Sequence, residues 1–292
     1  MGPETVRALG AAGVRLAAVV TAEPTTAAPP TGAVGRARPG PVLPVETAPA
    51  ASLHAAARAA GAPLVRLSPD ALGAAAPLLA AYRADILLVA CFAHWIPPAV
   101  RAAGRLGCLN LHPSLLPTYR GRSPVFHQLR DGRSVGGVTL HHVVDRIDAG
   151  PVVARMALGI PAGIALADLE RALARAGATL LARLLVAGRP GAGVAQDEAA
   201  ATDAPFPTAA DRVIHPGWDA DRAWRFLRGV AGPSSPVLLT GIDAAPVAIG
   251  EAVRRLRPGE TGETGTHLLR VGFRGGDLLL RPVGGVTPAT GG

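Results

Sequence analysis

The sequence contains no lysine, a single asparagine (Asn110), two cysteines and only 17% charged residues. Two cysteines in 292 residues exclude a disulfide-built mini-protein. Sparse charge and plentiful Leu, Val, Ala and Ile exclude a disordered chain, which would be polar and highly charged. The longest uncharged stretch in the motif-bearing half runs from Ile86 to Val100 and contains Pro97 and Pro98. It falls short of the roughly 20 apolar residues of a membrane span. A secretory leader is equally unsupported, because Glu4 sits in the leading segment and Arg15 interrupts the apolar run to Ala22. A cytoplasmic location follows as the expectation. Cys91 and Cys108 then read as reduced thiols behaving as small buried hydrophobes.

What replaces lysine is arginine. All 29 basic residues other than histidine are Arg, set against 21 acids, for a formal charge of +8. Missing Lys and Asn with abundant Ala, Gly, Arg and Pro is the signature of GC-rich coding. The basic balance is therefore weak support for nucleic-acid binding, which needs a clustered patch.

At about 150 residues per domain the length suggests two domains. Helical character over 5–12, 50–60 and 70–82 alternates with strand-like runs at 15–21, 85–91, 107–112, 138–144 and 152–158. The run at 85–91 is apolar enough for a strand buried on both faces. Such alternation implies an α/β fold with a mostly parallel, Rossmann-like sheet covered by helices. Residues 165–186 form a strong helix, with Leu166, Leu169, Leu173, Leu180 and Leu184 on one face. The expected organisation is a catalytic domain over 1–187, a linker without periodicity over 188–208, a small open β-barrel with one helix (218–230) over 209–285, and a tail over 286–292.

Residues 101–150 depart from the bulk composition: three alanines against 17 in 51–100, four of the eight histidines, and the only asparagine. Asn110 and His112 stand two apart at the end of a predicted strand, so both point to one face. Ligands of open α/β sheets sit outside the carboxyl ends of strands. Asp145 and Asp148 follow another strand and end in a turn. An amide, an imidazole and a carboxylate converging there suit acyl transfer to an amine, with an oxyanion held by N–H donors. No Ser or Cys nucleophile pairs with His112, which favours direct transfer. Taken alone, His112 reads equally as a satisfied core histidine and Asp148 as a turn residue. Of His141 and His142, at most one faces the site, and the pair reads mainly as structural. His112, His142, Asp145 and Asp148 lack zinc spacing, so no metal is expected. No Gly-x-Gly-x-x-Gly follows the first strand, so no NAD is expected.

Three blocks in order, Leu109-Asn-Leu-His-Pro-Ser-Leu-Leu-Pro-Thr-Tyr-Arg-Gly121, Gly137-Val-Thr-Leu140 and Ile147-Asp-Ala-Gly150, resemble the 10-formyltetrahydrofolate-dependent formyltransferases. The resemblance implies that Asn110, His112 and Asp148 are catalytic. It implies that the folate lies along Leu88, Ala90, Cys91, Phe92 and Ile96, near Ser114, and against Val144 and Asp145 in the loop before Asp148. It also implies an acceptor site at Arg36, Arg38, Arg120 and Gly121. Gln196-Asp-Glu198 and Ala201-Thr-Asp-Ala-Pro205 are similar to the linker of the branch acting on methionyl-tRNA, as are Asp211-Arg-Val-Ile214 and Trp218 to its C-terminal domain. The expected partners are the folate cosubstrate and initiator methionyl-tRNA, with the protein a monomer or weak dimer.

Four departures from the family pattern stand out. The family opens with a strand leading into Met-Gly-Thr-Pro-Glu, whereas Met1-Gly-Pro-Glu4 begins this chain. The first, central strand is therefore expected to be absent, through a start assigned too late, which would leave neighbouring backbone groups unpaired. The loop matching the family's basic loop offers only Arg36 and Arg38. Arg120-Gly-Arg-Ser-Pro124 and Val138-Thr-Leu-His141 look closer to amino-sugar formyltransferases. Residues 211–292 hold ten Arg against eight acids, a meagre excess for gripping RNA. The remaining alternatives are an amino-sugar nucleotide as acceptor, hydrolysis with water as acceptor, a folate- or RNA-binding remnant without activity, and a metal-dependent hydrolase.

Overall fold

Short apolar runs bounded by Gly and Pro form the strands of this protein, and longer runs with apolar residues three or four apart form its helices. The computed structural model describes residues 2–22, 50–242, 245–257, 260 and 267–284. In chain order these give α1 (Gly2–Ala11), β1 (Val19–Ala22), α2 (Ala50–Ala59), β2 (Leu64–Leu67), α3 (Ala76–Ala81), β3 (Leu87–Val89), α4 (Pro98–Arg101), β4 (Cys108–His112), α5 (Pro124–Arg130), β5 (Val135–His142), β6 (Val152–Gly159) and α6 (Leu166–Val186). They continue with β7 (Val213–Ile214), α7 (Ala220–Val230), β8 (Val237–Leu239), β9 (Val247–Leu256), β10 (Leu269–Phe273) and β11 (Gly276–Pro282). Arg36, Arg38 and the tail 286–292 lie outside the described residues.

The first half is mixed α/β. Strands β1 and β2 pair in parallel. A separate sheet has the order β3-β4-β5-β6, with β3 and β4 parallel and the β4–β5 and β5–β6 pairs antiparallel. One apolar cluster joins the two sheets, drawing Val20 and Val65 from the first and Leu87 and Val89 from the second. Strand β3 is shorter than the run 85–91 and only half-buried, because it lies at the edge of its sheet. Cys91 falls in the turn after it, exposed and at φ +54°, contrary to the expected buried thiol. Cys108, within β4, is buried, and burial pushes its thiol up to about 12. The helix expected over 70–82 divides into a 3₁₀ segment, Pro69–Ala75, and α3. Pro77 explains the division: inside one continuous α-helix its missing N–H would break the ladder, while near the start of α3 that N–H is not needed.

Helix α6 covers the sheet. Leu169, Leu173, Leu180 and Leu181 pack with Leu109, Leu111, Val138 and Leu140 in one cluster. Each such side chain contributes about 1.5–3 kcal/mol of burial. The helix can lie close to β4 because residue 177 is glycine. A Cβ there would collide with the buried Leu111 side chain, one residue from the candidate His112.

The second half forms a five-stranded sheet in the order β10-β11-β9-β8-β7. Among the described residues its ends meet only at the bridge Asp219–Arg274. Helix α7 closes it. The Asp219 side chain caps that helix by accepting from the Asp221 and Arg222 amides. Phe226, Ile214, Leu239, Ile249 and Leu280 form a second core, which Phe126 of α5 enters from the first half. Polar contacts tie the same seam: Arg222 Nε donates to the Arg130 carbonyl at 2.8 Å, and Arg225 Nη1 to that of Ile160 at 2.8 Å. Among the described residues no helix is long and apolar enough to cross a membrane.

Gly177→Ala tests the packing behind the site. The added methyl gains roughly 1 kcal/mol of helix propensity but overpacks Leu111, at a typical cost of about 1–3 kcal/mol. The expected net result is a lower urea midpoint, and an equal or higher midpoint would contradict the close approach.

Candidate active site

The candidate site lies at the carboxyl end of β4. Asn110 and His112 lie on one face of this strand, and both reach Asp148, which follows β5 in a tight turn. Asn110 Nδ2 donates to Asp148 Oδ1 at 2.9 Å, and His112 Nδ1 lies 3.5 Å from Oδ2. The Gly121 amide donates to Oδ2 at 2.8 Å. Asp148 holds a left-handed backbone, φ +51°, which aspartate tolerates better than most residues.

The fourth partner of this carboxylate is His141, which in sequence reads as mainly structural. His141 Nε2 lies 3.4 Å from Asp148 Oδ1 and 3.1 Å from Asn110 Nδ2. The cause is strand register: antiparallel pairing sets His141 directly opposite Asn110 and Thr139 opposite His112. The alternation argument, which admits only one of His141 and His142, holds. His142 points elsewhere, and its Nε2 bonds the Gly191 carbonyl at 2.8 Å. No sequence pattern reveals which of the two faces the site.

Hydrogen-bond chemistry fixes the tautomers. His112 Nε2 is 2.7 Å from the Tyr119 carbonyl, which can only accept, so Nε2 carries a proton. In the neutral ring Nδ1 is then bare and faces Asp148. His141 Nδ1 likewise donates to the His142 carbonyl at 2.9 Å, leaving Nε2 to accept from Asn110 when that ring is neutral. Burial pushes the His112 imidazole below the ordinary histidine value, opposed by the Asp148 charge and the Tyr119 carbonyl. Burial also pushes the Asp148 carboxyl up. The hydrogen bond that His141 donates when protonated, the His112 charge and the Gly121 amide outweigh it and hold Asp148 at about 2.

The other expected site residues are placed as follows. Val89 pairs with Asn110 across β3 and β4, so Leu88 and Ala90 flank the site strand. Phe92, Ile96 and Val143 share one apolar cluster beside it. Asp145 is exposed and paired with Arg101 at 2.6 Å. Val144, one residue before it, is half-buried. Ser114 is fully buried, and its hydroxyl donates to the Thr118 carbonyl at 2.6 Å. Arg120, expected on the acceptor side, is only 3% exposed. Its guanidinium is taken up by Gln196 and Glu198. Gly121 has φ +115°, and a Cβ there would come within 2.8 Å of the Ala204 carbonyl oxygen. Among the described residues no group of three or more His, Cys, Asp or Glu side chains is arranged to hold a metal ion.

The depressed Asp148 value sets a pH test. In the unfolded chain this carboxyl titrates near 3.8. Its stabilising contribution, roughly 2 kcal/mol by linkage, is full above that value and is lost as pH falls through about 2. Wild type should therefore exceed Asp148→Asn in urea midpoint at pH 6, with the gap closing toward pH 2.5. A gap independent of pH would refute the assignment.

The family described as formyl transferase matches residues 10–185. A methionyl-tRNA formyltransferase of Nitratidesulfovibrio vulgaris is 37% identical over 151 residues, covering 51% of this chain and 46% of that protein. One from Chlorobium luteolum is 32% identical over 216 residues, covering 70% and 68%. The chain thus spans about half the length of the first of these relatives and two thirds of the second. In fold it is similar to an N-formyltransferase of Helicobacter canadensis solved with folinic acid and dTDP-3-aminofucose, with a TM-score of 0.56 and 14% identity over 79% of this chain and 81% of that one. The family match covers well over half of the chain, across every strand that builds the site, and the chain belongs to the formyl transferase family.

Proposed function

We propose that this protein transfers a formyl group from 10-formyltetrahydrofolate to a primary amine, with the amino group of methionyl-tRNA as the first acceptor to consider. The observation that carries the reading is the single carboxylate, Asp148, that gathers Asn110, His112 and His141 at the end of β4. The apolar cluster of Phe92, Ile96 and Val143 suits the flat ring faces of a folate. The names of the relatives favour methionyl-tRNA. Residues 1–187 would carry the chemistry and 209–285 would help hold the acceptor.

The folate supplies the formyl group. The residues of the chain would receive the attacking amine's proton and the negative charge that develops on the formyl oxygen. His112 Nδ1 is the free base of the neutral ring and takes the proton, Asp148 stabilises the cation formed, and the same proton is then handed to the folate nitrogen as its bond to the formyl carbon breaks, which returns the ring to neutral. Asn110 has both amide hydrogens in use, one on Asp148 and one on His141. The longer of these bonds, to His141, is the one given up to the formyl oxygen. Preassembled donors of this kind act without reorganisation during reaction.

A second acceptor class, an amino-sugar nucleotide, is favoured by the small positive excess of residues 211–292. The deciding assay uses purified protein, 10-formyltetrahydrofolate and methionine-charged initiator tRNA, scoring formyl-methionine after deacylation. Formyl-methionine is the expected product. Its absence, with folate binding intact, would move the acceptor to amino-sugar nucleotides. Asn110→Ala and His112→Ala should each lose at least about 10²–10³ in rate while melting as folded proteins. Near-normal turnover by either variant would sink the catalytic roles of Asn110 and His112.

A further inference from the structure

The segment 188–208 reads as a linker in sequence, yet it bonds the two loops that build the site. Gln196 stands at its centre. Its Nε2 donates to the Asp148 carbonyl at 2.7 Å and to the Gly150 carbonyl at 2.8 Å. Its Oε1 accepts from Arg120 Nε at 3.1 Å and Nη2 at 2.8 Å. Carbonyls only accept and a guanidinium only donates, so the amide has one orientation. Arg120 is held further by both Glu198 oxygens, at 2.8 and 2.9 Å. Its backbone pairs with the same segment, Arg120 N to the Thr202 carbonyl at 2.8 Å and Ala204 N to the Arg120 carbonyl at 2.5 Å. The next residue, Gly121, gives its amide to Asp148 Oδ2 at 2.8 Å. The chain of bonds closes on itself: Gln196 to the Asp148 backbone, the Asp148 carboxylate to Gly121, and Arg120 back to Gln196.

We propose that Gln196 is a positioning residue for Asp148, so that one side chain of the segment 188–208 serves the transfer apparatus. The proposal rests on the formyl-transfer reading for its kinetic meaning. Asp148 sits in a left-handed conformation on a turn. Gln196 grips the carbonyls of Asp148 and Gly150, which bracket the turn after the carboxylate. Without those two donors the turn is free to re-aim the carboxylate. A displacement of about 1 Å at a reacting group is worth about 10²-fold in rate. Asp148 also supports the protonated form of His112, so a misplaced carboxylate lets the His112 midpoint fall further.

Gln196→Glu tests the idea in the full-length protein. It keeps the shape and the Arg120 contact but removes the N–H donors and turns an oxygen toward the two carbonyls. Gln196→Met removes the same donors without adding charge and serves if the first variant does not fold. The expected result is a kcat lower by about 10–100-fold, a KM for the folate within about threefold and, in the uncharged Gln196→Met, the acid limb of kcat/KM moved to lower pH. Asp197→Ala is the control. Among the described residues the Asp197 side chain only caps the adjoining turn through Ala199 N, so its loss should leave kcat and the pH profile unchanged. An active wild type matched by folded Gln196→Glu or Gln196→Met in kcat and pH profile would overturn the positioning role and leave formyl transfer standing. A wild type that formylates no amine would remove the proposed function instead. Imidazole ¹⁵N titration then decides the positioning role without turnover. A His112 midpoint lower in Gln196→Met than in wild type supports it, and an identical or higher midpoint overturns it.

Discussion

A buried negative charge organises this molecule. The Asp148 carboxylate is almost fully removed from water, and an unpaired ion in that position would cost several kcal/mol. Its two oxygens are met by an asparagine amide, a backbone N–H and two imidazoles, drawn from β4, β5 and the loop after β4. The strand pairing, the turn at 145–150 and the loop at 113–121 must therefore agree on one point in space. The same requirement explains the chemical asymmetry of the site. Both histidines spend one nitrogen on a backbone carbonyl and present the other to the carboxylate, so the proton inventory of the site is set by main-chain geometry.

Much of this is legible in the sequence, and the legible parts rest on local rules. Two-residue spacing places Asn110 and His112 on one face, because strand side chains alternate regardless of context. The leucine spacing of 166–184 marks the helix that covers the sheet. The unreadable parts depend on pairing between distant segments. His141 enters the site because an antiparallel register sets it opposite Asn110, and no property of either segment alone states that register. Cys91 departs from expectation for a related reason: the apolar run continues past the last hydrogen-bonded residue, so composition overruns the strand. Arg120 reads as facing the acceptor, but a basic residue beside the candidate site gives no sign of carboxylates and amides almost 80 residues away. Gln196 carries the weakest local signal. It lies in a stretch without periodicity, where order comes from contacts with other loops.

Two hydrophobic cores are joined by more than a seam. Phe126 leaves the first half to pack with Phe226 in the second, their rings 5.5 Å apart and nearly perpendicular. Arg222 lies over the Trp218 ring at 3.8 Å and bonds back to the carboxyl end of α5. Both halves thus share side chains, and the segment between them shares hydrogen bonds with the site. An acceptor pressing on the second half would meet a surface mechanically continuous with α5, which follows directly on the loop that supplies Gly121.

The buried Arg120 carries a consequence for how such proteins can be rearranged. Its positive charge belongs to one half of the chain and its compensation, Gln196 and Glu198, to the stretch between the halves. A hybrid joined at residue 187 would part a sequestered cation from its counter-charge, and would leave Phe126 facing a foreign core. Recombination between relatives is therefore constrained to exchange 188–208 together with the residues before it, so that this stretch is inherited with the chemistry while the open β-sheet beyond it is freer to diverge.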